Sequence, residues 1–143
     1  MTATGLRTFD STLQKVNVWI ADIMKELEWD DRKQAYRALR AVLHTLRDHL
    51  PLNESVQLAA QLPQLIRGLY YEGWKPNHVP HVIRHWDDFT ASVSEAFQDP
   101  LVASPAKITQ TVLNVLAKHV SPGEIEDVKR CLPEDIRRHW RIA

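Results

Sequence analysis

The chain has 143 residues, of which 44% are hydrophobic and 25% charged, so it can bury a core and does not have the composition of a disordered protein. Its 18 basic and 18 acidic side chains cancel to a formal net charge of zero, which removes the long-range attraction that a basic protein has for nucleic acids and anionic membranes. Only 4 glycines are present, which argues against a Gly-rich phosphate-binding loop.

Residues 1–8 precede the first periodic apolar pattern, and we expect them to be disordered or loose. They have no apolar core behind a basic segment, so a secretory signal is not expected. No stretch approaches the roughly 20 apolar residues that span a bilayer. Cys131 is the single cysteine, so neither an internal disulfide nor a multi-cysteine zinc site can form. We therefore expect a cytoplasmic protein that does not associate with membranes.

Two helices are predicted first, from apolar residues spaced by three or four. The first runs from about Asp10 to Glu28, with Asp10 or Ser11 as its cap. Asp30 is well placed to cap the second, and Pro51 ends it.

Two shorter helices complete the first half of the pattern. They are predicted at about residues 53–61 and from Pro63 onward, where a proline suits the first helical turn. The segment Gly73–Pro80 is rich in Gly, Pro and Asn and is predicted to be a linker.

Helix starts in the second half carry clear local signals. Ser104-Pro105 is a cap followed by a proline, and Ser121 with Glu124 forms a capping box, in which each side chain satisfies a free backbone N–H of the other residue. Leu132-Pro133 opens the last predicted helix.

A shift of 70 residues aligns two stretches of the chain without a gap. The matches are Val42-Leu43 with Val112-Leu113, His49 with His119, Glu54 with Glu124, Leu62-Pro63 with Leu132-Pro133, Arg67 with Arg137, and Tyr70 with Trp140. The upstream apolar positions, Phe9 to Leu27 and Val79 to Phe97, keep the same register. We therefore predict an all-α fold of eight helices, built as two tandem four-helix repeats with pseudo-twofold symmetry. Residues 9–143 then form one domain, with repeat one at 9–72 and repeat two at 79–141.

Several segments resemble one family of bacterial proteins, the domain of unknown function 2267. They are Ala35–Leu43, Ala59–Pro63, Leu69–Trp74, Asp127-Val128 and Leu132–Arg137, together with Trp140. The resemblance extends from about Phe9 to Trp140, and Leu69–Trp74 is its most specific part. It implies a bacterial, soluble, helical protein and brings no established activity, cofactor or catalytic residue.

Histidines are concentrated after the linker. If the predicted helix includes them, His81, His85 and Asp88 lie at i, i+4 and i+7 on one face, where two imidazoles and a carboxylate suit a divalent metal. The alternative is a solvated polar face that happens to contain histidines, including His78. We favour the polar face and expect no metal cofactor.

Aromatic and arginine side chains supply the other candidates for a ligand or partner surface. Tyr70, Tyr71 and Trp74 precede the linker, where they either anchor a partner or cover the junction between the repeats. Arg67 and Arg137 either form a repeated anion site or tie down the carbonyls at the end of a neighbouring helix.

Two weaker candidates lie near the C-terminus. The basic residues between Lys129 and Arg141 are offset by nearby acids, so nucleic-acid binding is not expected, and Cys131 is interpreted as an ordinary thiol.

The sequence thus favours a non-enzymatic helical module that binds another protein or itself. The first alternative is a protein that binds a small ligand in a groove between the repeats, near Tyr70, Tyr71 and Trp74. The weakest is a metal-dependent enzyme that uses the segment from His78 to Asp88.

Overall fold

The computed structural model of the chain describes residues 4–97 and 103–140. These residues form eight α-helices and no strand: α1 (Arg7–Leu27), α2 (Arg32–Asp48), α3 (Leu52–Ala59), α4 (Gln64–Tyr71), α5 (Trp86–Phe97), α6 (Pro105–His119), α7 (Pro122–Arg130) and α8 (Glu134–His139). A 3₁₀ turn, Pro76–His78, lies between α4 and α5. The prediction of an all-α protein with eight helices is confirmed for the described residues. None of the helices they form is long and apolar enough to cross a membrane.

One hydrophobic core receives side chains from all eight helices. The helices α2 and α6 lie at its centre and contact each other. Each also contacts α1 and α5, while α4 packs on α1 and α2, α8 packs on α5, and α3 packs on α7. Leu43 on α2 and Leu113 on α6 are fully buried, as expected from their positions on the apolar stripes.

The first helix begins earlier than the sequence indicates. It starts at Arg7, so Arg7 and Thr8 are helical rather than loose, and residues 1–3 lie outside the described residues. Asp10 is not the cap, because it lies in the first turn and its Oδ1 accepts hydrogen bonds from the N–H and hydroxyl of Thr4 at 2.9 and 2.8 Å. Ser11 is not the cap either, because it lies inside a helix that begins at Arg7.

The caps of the other helices agree with the sequence to different degrees. Asp31, not Asp30, caps α2, because its side chain is the one that accepts the N–H of Lys33, at 2.9 Å. Ser104 caps α6 as predicted, and Ser121 accepts the N–H of Glu124 at 3.3 Å. The reciprocal half of that capping box is absent, because the N–H of Ser121 donates instead to Gln61 Oε1 at 2.9 Å.

The segment before α5 differs most from the prediction. The helix begins only at Trp86, so His81 and His85 are not helical and the i, i+4, i+7 arrangement with Asp88 does not exist. The N–H of His81 donates to the Asp48 carbonyl at 2.7 Å, which ties the segment to the end of α2.

Candidate functional site

An apolar groove of about 600 Å³ opens between α1, α2 and α4. Its floor and walls are formed mainly by aliphatic side chains, namely Val16, Ile20, Leu39, Leu65, Ile66 and Leu69. Tyr36 and Leu65 are 44% and 50% exposed, which is high for side chains of this size. Because apolar side chains at a concave surface favour contact with another apolar surface, the groove is the best candidate for a binding site among the described residues.

Gly68 leaves one wall of the groove without a side chain at its position. It lies within α4, and a side chain added there would meet no heavy atom within 4 Å. A glycine costs helix stability relative to alanine, so its presence here leaves space rather than strengthening the helix.

Side chains of α2 hold α4, and with it this wall of the groove, in position. Arg47 is 4% exposed, and its Nη1 donates to the carbonyls of Tyr70 and Glu72 at 2.9 and 2.7 Å. The Nε2 of His44 lies 2.7 Å from the Leu69 carbonyl, and Arg40 pairs with the Glu72 carboxylate at 2.9 Å. Donors at the C-terminal end of α4 satisfy carbonyls that the helix leaves free. Burial lowers the pKa of His44, so its neutral form is favoured.

The apolar groove continues along α1 as two shallower depressions. Both include Gln64, and together they extend past Thr12 to Phe9 and Arg7. Phe9 is 50% exposed, and the backbone N–H of Leu65 donates to Thr12 Oγ1 at 3.1 Å, which joins α4 to α1 along this line. The result is an elongated strip rather than a closed pocket, apolar in the groove and mostly polar toward Arg7.

Basic side chains lie along this strip. Arg32 and Lys33 line the groove, and Arg7 and Lys15 line its extension. Among the described residues, Glu72 is the one acidic side chain that lines the groove, and it is paired with Arg40. The charge around the strip is therefore mainly positive, although the whole chain is neutral.

The aromatic residues singled out by the sequence have separate environments. Tyr70 is fully buried, and its hydroxyl donates to Ser55 Oγ at 3.2 Å, so it packs in the core. Tyr71 and Trp74 are half-buried, with ring centroids 5.2 Å apart. None of the three lines the apolar groove, which lies between α1, α2 and α4 rather than at the linker.

The paired arginines also differ. Arg67 donates to the carbonyls of Ala59, Ala60 and Leu62 at 2.8, 3.2 and 2.9 Å, and thereby ties down the end of α3. This is the geometry that the structural interpretation of Arg67 requires. Arg137 is exposed on α8.

The candidate metal residues do not come together as one set. His81 and His85 are exposed, and the ring of His81 lies edge-on to His49 with centroids 5.6 Å apart. Asp88 is exposed in the first turn of α5.

A different cluster of ionisable groups lies where α3 contacts α7. One carboxylate oxygen from each of Glu54, Glu124 and Asp127 lies within 4.8 Å of the others. Burial and the facing Glu54 carboxyl raise the pKa of Glu124 to about 8. Burial and the same carboxyl raise the pKa of the nearby Cys131 thiol.

Sequence reasoning missed both the groove and this cluster. Arg40, His44 and Arg47 recur at i, i+4 and i+7 beside the apolar face of α2, but none of them lines the groove. Glu54 and Glu124 are equivalent at the 70-residue shift, but the alignment alone does not reveal that they face each other.

The chain matches a known protein family. No curated protein matches it. A model of the family described as "Uncharacterized conserved protein (DUF2267)" matches residues 16–139, which covers most of the chain and all or most of each of the eight helices. The match confirms the resemblance that the sequence segments indicate. The chain therefore belongs to the family of uncharacterized conserved proteins designated DUF2267.

Proposed function

We propose that this protein is a non-enzymatic binding module whose apolar groove takes an amphipathic helix of another protein, with acidic side chains beside the apolar face of that helix. The observation that carries the proposal is the groove between α1, α2 and α4, with Tyr36 and Leu65 exposed at it. Helix-in-groove binding uses apolar anchors spaced by three or four residues, and a row of aliphatic side chains is their natural complement.

The shape of the site favours a helix over a compact metabolite. The groove and its extension follow α1, whose 21 residues span about 30 Å at roughly 1.5 Å per residue. An elongated partner can contact the whole strip from Arg32 to Arg7, whereas a small ligand occupies only one part of it.

The basic side chains along the strip favour a partner helix that carries acidic side chains. Arg7, Lys15, Arg32 and Lys33 lie along the strip, so acidic side chains on the partner lower the electrostatic energy of the complex and basic ones raise it. Such charges at the rim of an interface act chiefly on association rate and salt dependence.

A small apolar ligand is the second candidate. The groove volume of about 600 Å³ falls within the range of roughly 300–1,000 Å³ that is typical of small-molecule sites. This candidate predicts that only the part between α1, α2 and α4 is needed for binding.

We also propose that the fold is a tandem repeat with pseudo-twofold symmetry. The helix contacts support it, because a shift of four helices converts α1–α2 into α5–α6, α1–α6 into α2–α5, and α1–α4 into α5–α8. Ring contacts support it too: His119 stacks on Trp19, and the equivalent His49 lies against the equivalent Phe89. The two halves differ at the start of their first helices. The helix α5 begins at Trp86, which is equivalent to Val16, whereas α1 begins earlier, at Arg7. Because α5 lacks this N-terminal extension, the asymmetry favours a single binding strip.

We further propose that the protein acts in the cytoplasm, where a lone thiol such as Cys131 stays reduced.

Site-directed photo-crosslinking in the source cells tests the binding proposal. A photoreactive phenylalanine derivative replaces Leu65 in the groove or, as the matched control, Val56 on α3, which is 47% exposed and does not line the groove. We expect a protein adduct from position 65 only, with the cross-linked peptide in an acidic amphipathic helix. Equal adducts at both positions, no adduct, or an adduct only to a second copy of this chain would contradict the proposal.

A further inference from the structure

The place where α3 contacts α7 brings together acidic side chains from distant parts of the sequence. Glu54 lies on α3, while Glu124 and Asp127 lie one turn apart on α7. Each offers one carboxylate oxygen, and these three atoms lie within 4.8 Å of one another. Carboxylates this close repel one another unless a positive charge or a proton lies between them.

Glu124 is the innermost of the three carboxylates. It is 7% exposed, and among the described residues its buried Oε2 has no hydrogen-bond donor, because it faces the carboxyl of Glu54. A buried polar atom without a partner costs free energy, so its position calls for an explanation.

The local structure shows why the Glu124 side chain is available. In a closed capping box it would accept the N–H of Ser121, but Gln61 Oε1 accepts that N–H at 2.9 Å. The Glu124 carboxylate is therefore released from the helix start and directed toward Glu54.

Cys131 adds a donor of a different kind. It is a free, half-buried cysteine just after α7, and its Sγ lies 3.9 Å from Glu54 Oε1. Asp127 pairs with Arg130 at 2.9 Å, and its side chain is 45% exposed, so an ion can reach the cluster from outside.

We propose that Glu54, Glu124, Asp127 and Cys131 form a site for a divalent cation of the zinc class, which joins α3 to α7. Zinc accepts both carboxylate oxygen, at about 2.0–2.2 Å, and cysteine sulfur, at about 2.3 Å, usually with four ligands. Two oxygens on one zinc ion are thus separated by at most about 4.4 Å, so small side-chain rotations bring the three carboxylates to this geometry. The Cys131 Sγ lies beside Glu54 but outside this close group, so it must move further to become the fourth ligand. The ion neutralises the three carboxylates and supplies the missing partner of Glu124 Oε2. Because the site links two helices, its role is to stabilise the fold.

Titration of tag-free protein with zinc chloride alone, followed by calorimetry, tests the site. We expect one ion per chain, with affinity lowered at least tenfold in both Glu54→Gln and Glu124→Gln. The matched control is Glu126→Gln, which removes the same charge from an exposed position on α7 and leaves the affinity unchanged. The thermal midpoint of each variant without zinc checks its folding, and glutamine at position 124 relieves repulsion rather than creating it.

Cobalt(II) provides a spectroscopic signature of the thiolate ligand. Cobalt bound to the wild-type protein should show a sulfur-to-cobalt charge-transfer band, which Cys131→Ser removes and Glu126→Gln retains. The proposal is overturned if zinc does not bind, if the Glu54→Gln/Glu124→Gln double variant binds it as the wild type does, or if the cobalt spectrum is unchanged in Cys131→Ser. If the double variant still binds zinc, the ion would be assigned to histidine side chains instead of this cluster.

Discussion

The backbone N–H of Trp86 donates a hydrogen bond to Asp135 Oδ2 over 2.7 Å, so a side chain of α8 satisfies the first turn of α5. This contact also holds the pKa of Asp135 below its ordinary value, because a hydrogen bond to the carboxylate favours its charged form. The start of α5 at Trp86 leaves His81 and His85 outside the helix. The hydrogen bond between Trp86 and Asp135, which are 49 residues apart, therefore lies at the helix start that excludes the two histidines of the predicted metal motif.

Removal of this contact should loosen α5. We expect Asp135→Ala to lower the denaturation midpoint and to speed hydrogen exchange of the Trp86 amide, because that N–H loses its acceptor. The control is Glu134→Ala, an exposed acid in the same turn of α8. Equal amide exchange in the two variants would contradict the capping role of Asp135.

The equivalent arginines should differ in their effect on stability. Arg67 donates to three carbonyls near the end of α3, so Arg67→Ala should reduce the free energy of unfolding by about 2 kcal/mol. Arg137 is exposed, and Arg137→Ala should change it by less than about 0.5 kcal/mol. Urea denaturation of the two variants measures the difference. Equal losses would indicate that the arginines have the same role in both halves.

The buried His49 and the half-buried His44 should make folding sensitive to mild acid. Burial lowers the pKa of both His44 and His49 below the ordinary 6.5. As the pH falls below about 6.5, the unfolded chain gains protons at these positions before the folded chain does, so the contribution of these two histidines to the free energy of unfolding decreases. The raised pKa of Glu124 acts in the opposite direction over this range. The loss is at most about 1.4 kcal/mol per pH unit for each group and is absent well above 6.5.

Glutamine variants isolate this effect from that of the carboxylates. Between pH 5.5 and 7, His44→Gln and His49→Gln should each show a flatter acid-side loss of stability than the wild type. His78→Gln, at an exposed position in the 3₁₀ turn, serves as the control. An unchanged pH slope in both His44→Gln and His49→Gln would contradict the assignment of neutral imidazoles.

Two glycines should respond in opposite directions to alanine. Gly68 is within α4 and has open space around it, so Gly68→Ala should increase the free energy of unfolding by about 0.5–1 kcal/mol. Gly73 has a φ of 72°, which alanine adopts poorly, so Gly73→Ala should decrease it by about 1 kcal/mol. Thermal or urea denaturation tests both. A loss of stability in Gly68→Ala would show that the groove wall is already filled.

The sequence predicts the number and order of the helices well, because their apolar stripes and prolines are local signals. It places the caps at Ser104 and Ser121 correctly for the same reason. It misplaces the start of α5, because the acceptor for the Trp86 N–H comes from the distant Asp135. It also misidentifies the cap of α2, because two adjacent aspartates offer the same local signal. The groove was not predictable from periodicity, because its existence depends on how α1, α2 and α4 pack, and the facing of Glu54 and Glu124 depends on how α3 meets α7.

The central claim is that the apolar groove binds an acidic amphipathic helix, and a peptide titration tests it most directly. A labelled 18-residue peptide with leucines on one helical face and glutamates beside them is compared with the same peptide carrying lysines, by fluorescence anisotropy at low and high salt. The proteins are the wild type, Leu65→Glu in the groove and Val56→Glu as the equally exposed control on α3.

We predict that the wild type binds the acidic peptide at least tenfold more tightly than the basic one, with weaker binding at high salt. Leu65→Glu should reduce the affinity at least tenfold, because it places a charge on the apolar surface and repels the glutamates, while Val56→Glu leaves the affinity unchanged. Equal affinity for the two peptides, or equal effects of the two substitutions, would contradict the claim.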